Sequence, residues 1–262
     1  MKPKFWSILP AIALGTCVAA ITVTLPGFSE AQAYTVIPNG RTAGNPSGQP
    51  LNDIILDSRF DQNRILDPIT WSLAAGTKTD DGKNTLTQSI LARAIVTIKT
   101  FKEDQLSLTF NLSNLTNSSY QAAVMSLWFG VTPNPTSAST ITSTTNVFAD
   151  VTAPKTGNAP GGFKNIDVCL YAANNCNGGT INGGLQAGQS DAFTVNIFGN
   201  FATGAGYSQV TLSDMGLKFQ TQDGSYELAG VPEPLTILGS AAALGFAGAI
   251  KQRISQKKLA KV

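Results

Sequence analysis

The 262-residue chain contains no histidine. That single absence removes Ser-His-Asp and Cys-His catalysis, histidine general bases and His-containing zinc sites. Charge is also scarce, at 13 % of residues. Between Tyr34 and Gly230 there are eleven Lys and Arg against fourteen Asp and Glu, a net charge of −3, so the whole-chain value of +2 comes from the two ends. A mildly acidic central region without a basic cluster excludes a phosphate-reading face, and with it nucleic acid as a partner. Cysteine is rare: Cys17, Cys169 and Cys176 are the three in the chain. There is no calcium-loop pattern, no cofactor motif and no repeat at solenoid or propeller periods.

What the central region does contain is short apolar runs separated by Ser, Thr, Asn, Gly and Pro. "ARAIVTIKTF" (residues 92–101) sets Ala94, Val96, Ile98 and Thr100 on one side of a strand. "QLSLTFNL" (residues 105–112) does the same with Leu106, Leu108, Phe110 and Leu112, and "KED" between them has hairpin length. "DIILDSRF", "ITWSL", "AAVMSLWFGV", "TNVFADV", "NIDVCLY", "DAFTVNIF" and "YSQVTLSDMGLKFQ" read as further strands. Strands at short intervals, without an amphipathic helix among them, predict an all-β domain over residues 51–229: an antiparallel β-sandwich of jelly-roll or Ig-like type. Residues 34–50 read as a flexible lead-in, and "TPNPTSASTITSTT" as a connection without packed structure.

Both ends read as processing segments. Lys2 and Lys4 precede an apolar stretch around Ile8 to Leu25, and Ala31 and Ala33 supply the small residues of an A-x-A cleavage site. Residues 1–33 therefore read as a secretory signal peptide, cut after Ala33, which implies the secretion translocon and signal peptidase as partners. Cys17 reads as an ordinary member of that apolar stretch. Export in turn makes Cys169 and Cys176, seven positions apart among Asn and Gly, a candidate disulfide. A metal site would need two further soft ligands, and a redox pair would favour C-x-x-C.

Acidic residues offer the remaining chemistry. Asp53, Asp57, Asp61 and Asp67 form one series, and Asp80-Asp81-Gly82 reads as a plain turn. Two facing carboxylates could hydrolyse a glycoside and clustered oxygens could hold calcium. Trp71, Trp128, Phe129, Tyr120 and Tyr171 are the aromatic residues that could line a sugar-binding surface, although aromatics alternating along strands belong more often to cores. No catalytic, cofactor or metal residue is assigned.

The chain closes on "GVPEPLTILGSAAALGFAGAIKQRISQKKLAKV" (residues 230–262). Val231, Pro232, Glu233 and Pro234 precede an apolar run at 235–250, and Lys251, Arg253, Lys257, Lys258 and Lys261 form a basic tail. The run spans 16 residues, or about 24 Å as a helix. That is short against a bilayer core of about 30 Å, and the run is rich in Ala and Gly. The order of triplet, apolar run and basic end resembles a PEP-CTERM sorting signal. "LWFGVTPNPTSAS" and "NIDVCLYAANNCNGGTINGGLQAGQSDAFTVNIFG" resemble the cistern family of such proteins, over roughly residues 53–262. The basic tail departs from the family pattern in being diluted by Gln, Ser, Ile and Leu.

The resemblance implies recognition by exosortase, a transient transmembrane helix over 235–250 with a cytoplasmic tail, and a place at the cell surface or in the extracellular matrix. It brings no catalytic residues. A non-enzymatic envelope protein is thus the leading expectation. A carbohydrate- or calcium-binding surface module, with extracellular polysaccharide as its partner, is the alternative. A carboxylate glycosidase stands third.

Overall fold

The computed structural model describes residues 34–42, 48, 50–66, 68–79, 81–154, 159, 163–173 and 175–232. Expectations for the signal peptide with Ala31 and Ala33, for Cys17, Asp67 and Asp80, and for everything from Glu233 to the basic tail lie outside the described residues.

Two antiparallel sheets carry the fold. The first runs, edge to edge, β1 (Thr35–Thr42), β2 (Pro50–Asp57), β12 (Gln209–Thr221), β6 (Ala122–Thr132), β9 (Val168–Tyr171) and β8 (Asp150–Thr152). Here β10 (Leu185–Gln186) also pairs with β6, and β13 (Gly224–Ala229) with β12. The second runs β14 (Val231–Pro232), β3 (Ile69–Leu73), β4 (Ile90–Phe101), β5 (Gln105–Asn114), β11 (Ser190–Gly199) and β7 (Pro135–Ser143). Their inner faces share one apolar cluster in which Ile54, Leu127 and Phe129 of the first sheet meet Val96, Phe110 and Phe193 of the second. The Phe110 ring stacks on Phe129 at 6.1 Å and on Phe193 at 5.4 Å, so aromatic contacts bridge the layers. This is a β-sandwich, as the alternating pattern predicts.

Where alternation is clean, the sequence places side chains correctly. Leu106, Leu108, Phe110 and Leu112 are fully buried, and so are Ala94, Val96 and Ile98. Thr100 departs from the pattern. The register between β4 and β5 shifts between Ile98 and Thr100, which leaves Thr100 half-buried and turns Phe101 inward instead. An extra residue in one strand reverses the parity of everything after it.

Two stretches expected to be loose are strands. Thr35–Thr42 pairs with β2, and Pro135–Ser143 pairs with β11. Both lie on sheet edges, where one side of the strand stays solvated, so polar composition and proline are tolerated. Pro133 enters β7 through a cis peptide bond. The chain also leaves the first sheet for the second at Gly230, between β13 and β14. A Cβ at that position would meet Ile69 and the Trp71 indole at 2.7–2.8 Å, so only glycine lets the crossing lie flat on the tryptophan.

Strand β6 has a different reason for its composition. All of it but Thr132 is buried, because its outer face is also covered. A second cluster of Leu51, Trp128, Ala159, Phe163, Ile166, Cys169, Cys176 and Ala229 lies on that outer face. A strand buried on both faces reads as a continuous apolar run.

Candidate functional sites

The predicted disulfide is present: Cys169 is bonded to Cys176, with Cα atoms 6.1 Å apart. Cys169 sits on β9 directly opposite Trp128 of β6, so the bridge pins the following Asn/Gly loop over the outer face of the first sheet. Ser126 Oγ donates to the Cys176 carbonyl at 3.1 Å. Beneath the loop, Lys218 of β12 stands opposite Glu227 of β13, and its Nζ is 2.8 Å from Glu227 Oε1. Both are buried, and Glu227 Oε2 has no hydrogen-bond partner. Gly178 passes over the Lys218 stem, where a Cβ would come within 3.2 Å of Cε. The bridge therefore roofs a desolvated ion pair and the Trp128–Phe163 contact, whose ring centroids are 5.3 Å apart.

Closing so short a loop removes conformational freedom from the unfolded chain worth about 2.5 kcal/mol. Replacing both cysteines with serine is expected to lower the unfolding free energy by about that amount. Urea unfolding of both proteins measures it, and an unchanged midpoint would show that the loop is held by other contacts.

The acidic series does not assemble as a cluster. Asp57 accepts from the Arg59 side chain at 2.7 and 3.0 Å, which holds its carboxyl below the usual range. Arg59 in turn lies over the Tyr207 ring at 3.7 Å. Asp61 is buried, which raises its carboxyl, although it accepts the Asp57 backbone N–H at 2.7 Å. Among the described residues no group of three or more His, Cys, Asp or Glu could hold a metal ion. The second acidic series behaves as the turn it resembles: the Gly82 N–H donates to the Thr79 carbonyl. The Thr79 hydroxyl and the Lys83 backbone N–H lower the Asp81 carboxyl to about 2. An open depression of about 230 Å³ adjoins it, lined by Thr79, Asp81, Asn84, Gly224 and Ser225.

The aromatic residues do not form a sugar platform. Trp71, Trp128, Phe129 and Tyr120 are buried, and Tyr171 is half-buried against the second cluster. They belong to the packing, as aromatics alternating in strands usually do.

The fold does assemble one group that sequence spacing gave no means of finding. Asp53 of β2 lies beside Asp214 of β12, 161 positions later, and two side chains of β1 bridge them. Asn39 Nδ2 donates to Asp53 Oδ1 at 2.9 Å and to Asp214 Oδ1 at 3.0 Å. Arg41 Nη1 reaches Asp214 Oδ2 at 2.6 Å, and Arg41 Nη2 stands 4.0 Å from Asp53. The Asp214 side chain is completely buried, whereas Arg41 is 38 % exposed. Asp214 occupies a bulge of β12, where the register shifts between Ser213 and Gly216 and its φ is +51°. Burial raises its carboxyl, offset in part by the Arg41 charge and the Asn39 amide. Two carboxylates thus face each other, but an amide and a guanidinium from the chain itself occupy the gap where a glycoside would have to enter.

Another buried carboxylate, Asp191 at the start of β11, organises the connection after β7. It accepts from Ser143 Oγ at 2.8 Å, Thr144 Oγ1 at 3.0 Å and the backbone N–H groups of Thr145 and Phe148 at 3.1 and 3.0 Å. Those bonds place Phe148 on Phe193, with ring centroids 5.0 Å apart.

Of the four residues expected to form a sorting motif, Val231 and Pro232 are described. They form β14, opposite Thr70 and Ile69 of β3, with Pro232 buried. The second sheet therefore includes residues beyond the expected domain end at 229. No protein-family model, curated protein or solved structure matches the chain.

Proposed function

We propose that the chain is an exported, non-enzymatic component of the cell envelope or extracellular matrix, sorted by an exosortase through a C-terminal PEP-CTERM signal. On this reading residues 1–33 are removed after Ala33. Residues 235–250 hold the chain briefly in the inner membrane, with Lys251, Arg253, Lys257, Lys258 and Lys261 on the cytoplasmic side. The observation that carries the reading is the Cys169–Cys176 bridge, since disulfides persist in oxidising compartments and are rare in the cytosol. Two features agree with it. The described strands reach Pro232, three residues before the apolar run. Two buried carboxylates are also engaged internally, Glu227 by Lys218 and Asp214 by Arg41.

Mass spectrometry of both ends of the purified protein tests the proposal. A chain starting at Tyr34, and ending short of Val262 when a sorting enzyme is co-expressed, is the expected result. A cytoplasmic protein with Met1 and Val262 both in place would end it. The alternative, a carbohydrate- or calcium-binding module, finds less support among the described residues, where the aromatics are buried or half-buried and no group of three or more acidic residues could hold a metal ion.

A further inference from the structure

Two aromatic rings at one end of the sandwich stand outside its packing. Phe60 is 43 % exposed, and neither it nor Tyr207 belongs to either apolar cluster. The loop after β2 and the loop between β11 and β12 bring them together. The Ser58 N–H donates to the Ser208 carbonyl at 2.9 Å, and the Ser208 N–H donates to Ser58 Oγ, also at 2.9 Å. Arg59 touches both rings: its guanidinium carbon is 3.7 Å from the Tyr207 centroid and 5.1 Å from that of Phe60. Asp57 fixes the guanidinium, accepting from Nε at 3.0 Å and Nη2 at 2.7 Å, and Nη1 is not part of that pair.

The fold does not require a phenyl ring at position 60. The Phe60 backbone N–H closes a turn by donating to the Asp57 carbonyl at 3.0 Å, a bond that any residue but proline supplies, and turns ordinarily take polar side chains. The ground beside the rings is also open. Residues 202–206, which lead into Tyr207, are all exposed, and a Cβ at Gly204 or Gly206 would meet nothing within 4 Å. Charge and shape then decide what fits. Arg59 and Asp57 cancel, so the patch has no net charge with which to draw an anion or a cation. It sets apolar ring surface beside rigidly held hydrogen-bonding groups, the combination that ligand sites use for orientation. A sugar ring is divided in the same way, with an apolar C–H face and a rim of hydroxyls. An open patch without walls holds one such ring weakly, which suits a polymer that presents many of them.

We propose that Phe60, Arg59 and Tyr207 form a subsite for an uncharged polysaccharide: a sugar ring lays its C–H face on Phe60, and its hydroxyls meet the Arg59 guanidinium and the Asp57 carboxylate. These are not the aromatic residues that the sequence singles out, which belong to the packing. The subsite gives the carbohydrate-binding alternative a place on the surface. It is independent of the sorting reading, because it uses groups of the sandwich alone and is tested by binding rather than by location.

Native gels cast with a polysaccharide test it, since a chain that binds the polymer migrates more slowly. The full-length chain is run against laminarin, dextran and galactomannan, which are uncharged, and against alginate, which is acidic. Retardation by at least one uncharged polymer is the expected result. Phe60→Ala should weaken the apparent affinity about tenfold, and Phe60→Tyr should retain most of it. Arg59→Ala should weaken it as well. Ile65→Ala removes a side chain that is 67 % exposed, more than Phe60, and should leave binding unchanged.

For each variant, retained β-sheet circular dichroism and an intact Cys169–Cys176 bridge report folding. No retardation by any of the uncharged polymers overturns the proposal, and so does retardation by alginate alone. Equal retardation of the wild type and Phe60→Ala, or equal losses in Phe60→Ala and Ile65→Ala, overturns it too.

Discussion

Replacing Asp191 by alanine lowers the unfolding free energy by about 2–3 kcal/mol, one of the larger effects expected of the side chains described above. The carboxylate is buried and accepts from two hydroxyls and two backbone N–H groups. Without it, the buried Phe148 N–H loses its acceptor, and an orphaned buried donor costs about 1–3 kcal/mol, whereas the N–H of the exposed Thr145 can turn to water. Phe148 is then no longer held against Phe193, so apolar contact is lost too. The losses share one loop and will not add independently.

The pH dependence of this variant has a definite sign. Burial alone would raise the Asp191 carboxyl, but the bonds from Phe148, Ser143, Thr145 and Thr144 together lower it below its ordinary range. A carboxyl lowered on folding stabilises the fold above its unfolded pKa, and that contribution disappears as pH falls through the folded value. Urea titrations at neutral pH should therefore show the full difference between wild type and Asp191→Ala. The gap should narrow only under acid conditions below the usual Asp range. A variant within 1 kcal/mol of wild type at neutral pH would mean the loop is held by its own backbone, which would refute the account.

Substituting Arg41 by leucine is expected to cost about 2–3 kcal/mol at neutral pH. It strands Asp214, whose side chain is completely buried, with the Asn39 amide as its one remaining close partner. The estimate is kept below that for a fully enclosed pair because the guanidinium is 38 % exposed and partly screened. Here the sign is opposite to that at Asp191. Burial raises the folded pKa of Asp214, so the folded state binds the extra proton and stability improves as pH falls through that window. Removing Arg41 also removes the charge that lowers the Asp214 carboxyl, moving it further up. The cost of Arg41→Leu should therefore be greatest at neutral pH and shrink on mild acidification as Asp214 becomes neutral. Unfolding midpoints at neutral and mildly acidic pH decide this; a penalty that grows with acid would rule the mechanism out.

Legibility from sequence followed the physics of each segment. β5 was readable on its inner face, where Leu106, Leu108, Phe110 and Leu112 are dry, but on the face expected to be wet Ser107 is buried while Asn111 is exposed. β4 was readable up to its bulge, since no residue in "TIKTF" announces the extra position that turns Phe101 inward. β1 and β7 gave no periodic signal because edge strands contact little on either face, and their Pro, Gly and Ser content matches that of loops. The Cys169–Cys176 bridge was legible because the expectation of export, together with the spacing, left few other uses for the pair. The Asp53–Asp214 socket was not legible: its members are remote in sequence, and Asp214 in "LSDMGL" looks like an outward-facing strand residue. A bulge with positive φ is what turns it in, and such bulges come from the tertiary register rather than from local propensity.

The crossing at Gly230 has a mechanical consequence. A load applied beyond Pro232 is met first by β14, which among the described residues grips β3 through two residue pairs. Pairs at the end of a strand peel open one at a time. The load then passes to β13, which is joined to β12 by six residue pairs. Lys218 and Glu227 form a buried rivet between those same two strands. The sandwich thus has a weak first stop and a strong second one in series. A pull on its C-terminal end would free about three residues, from Gly230 to Pro232, before the core bears any force.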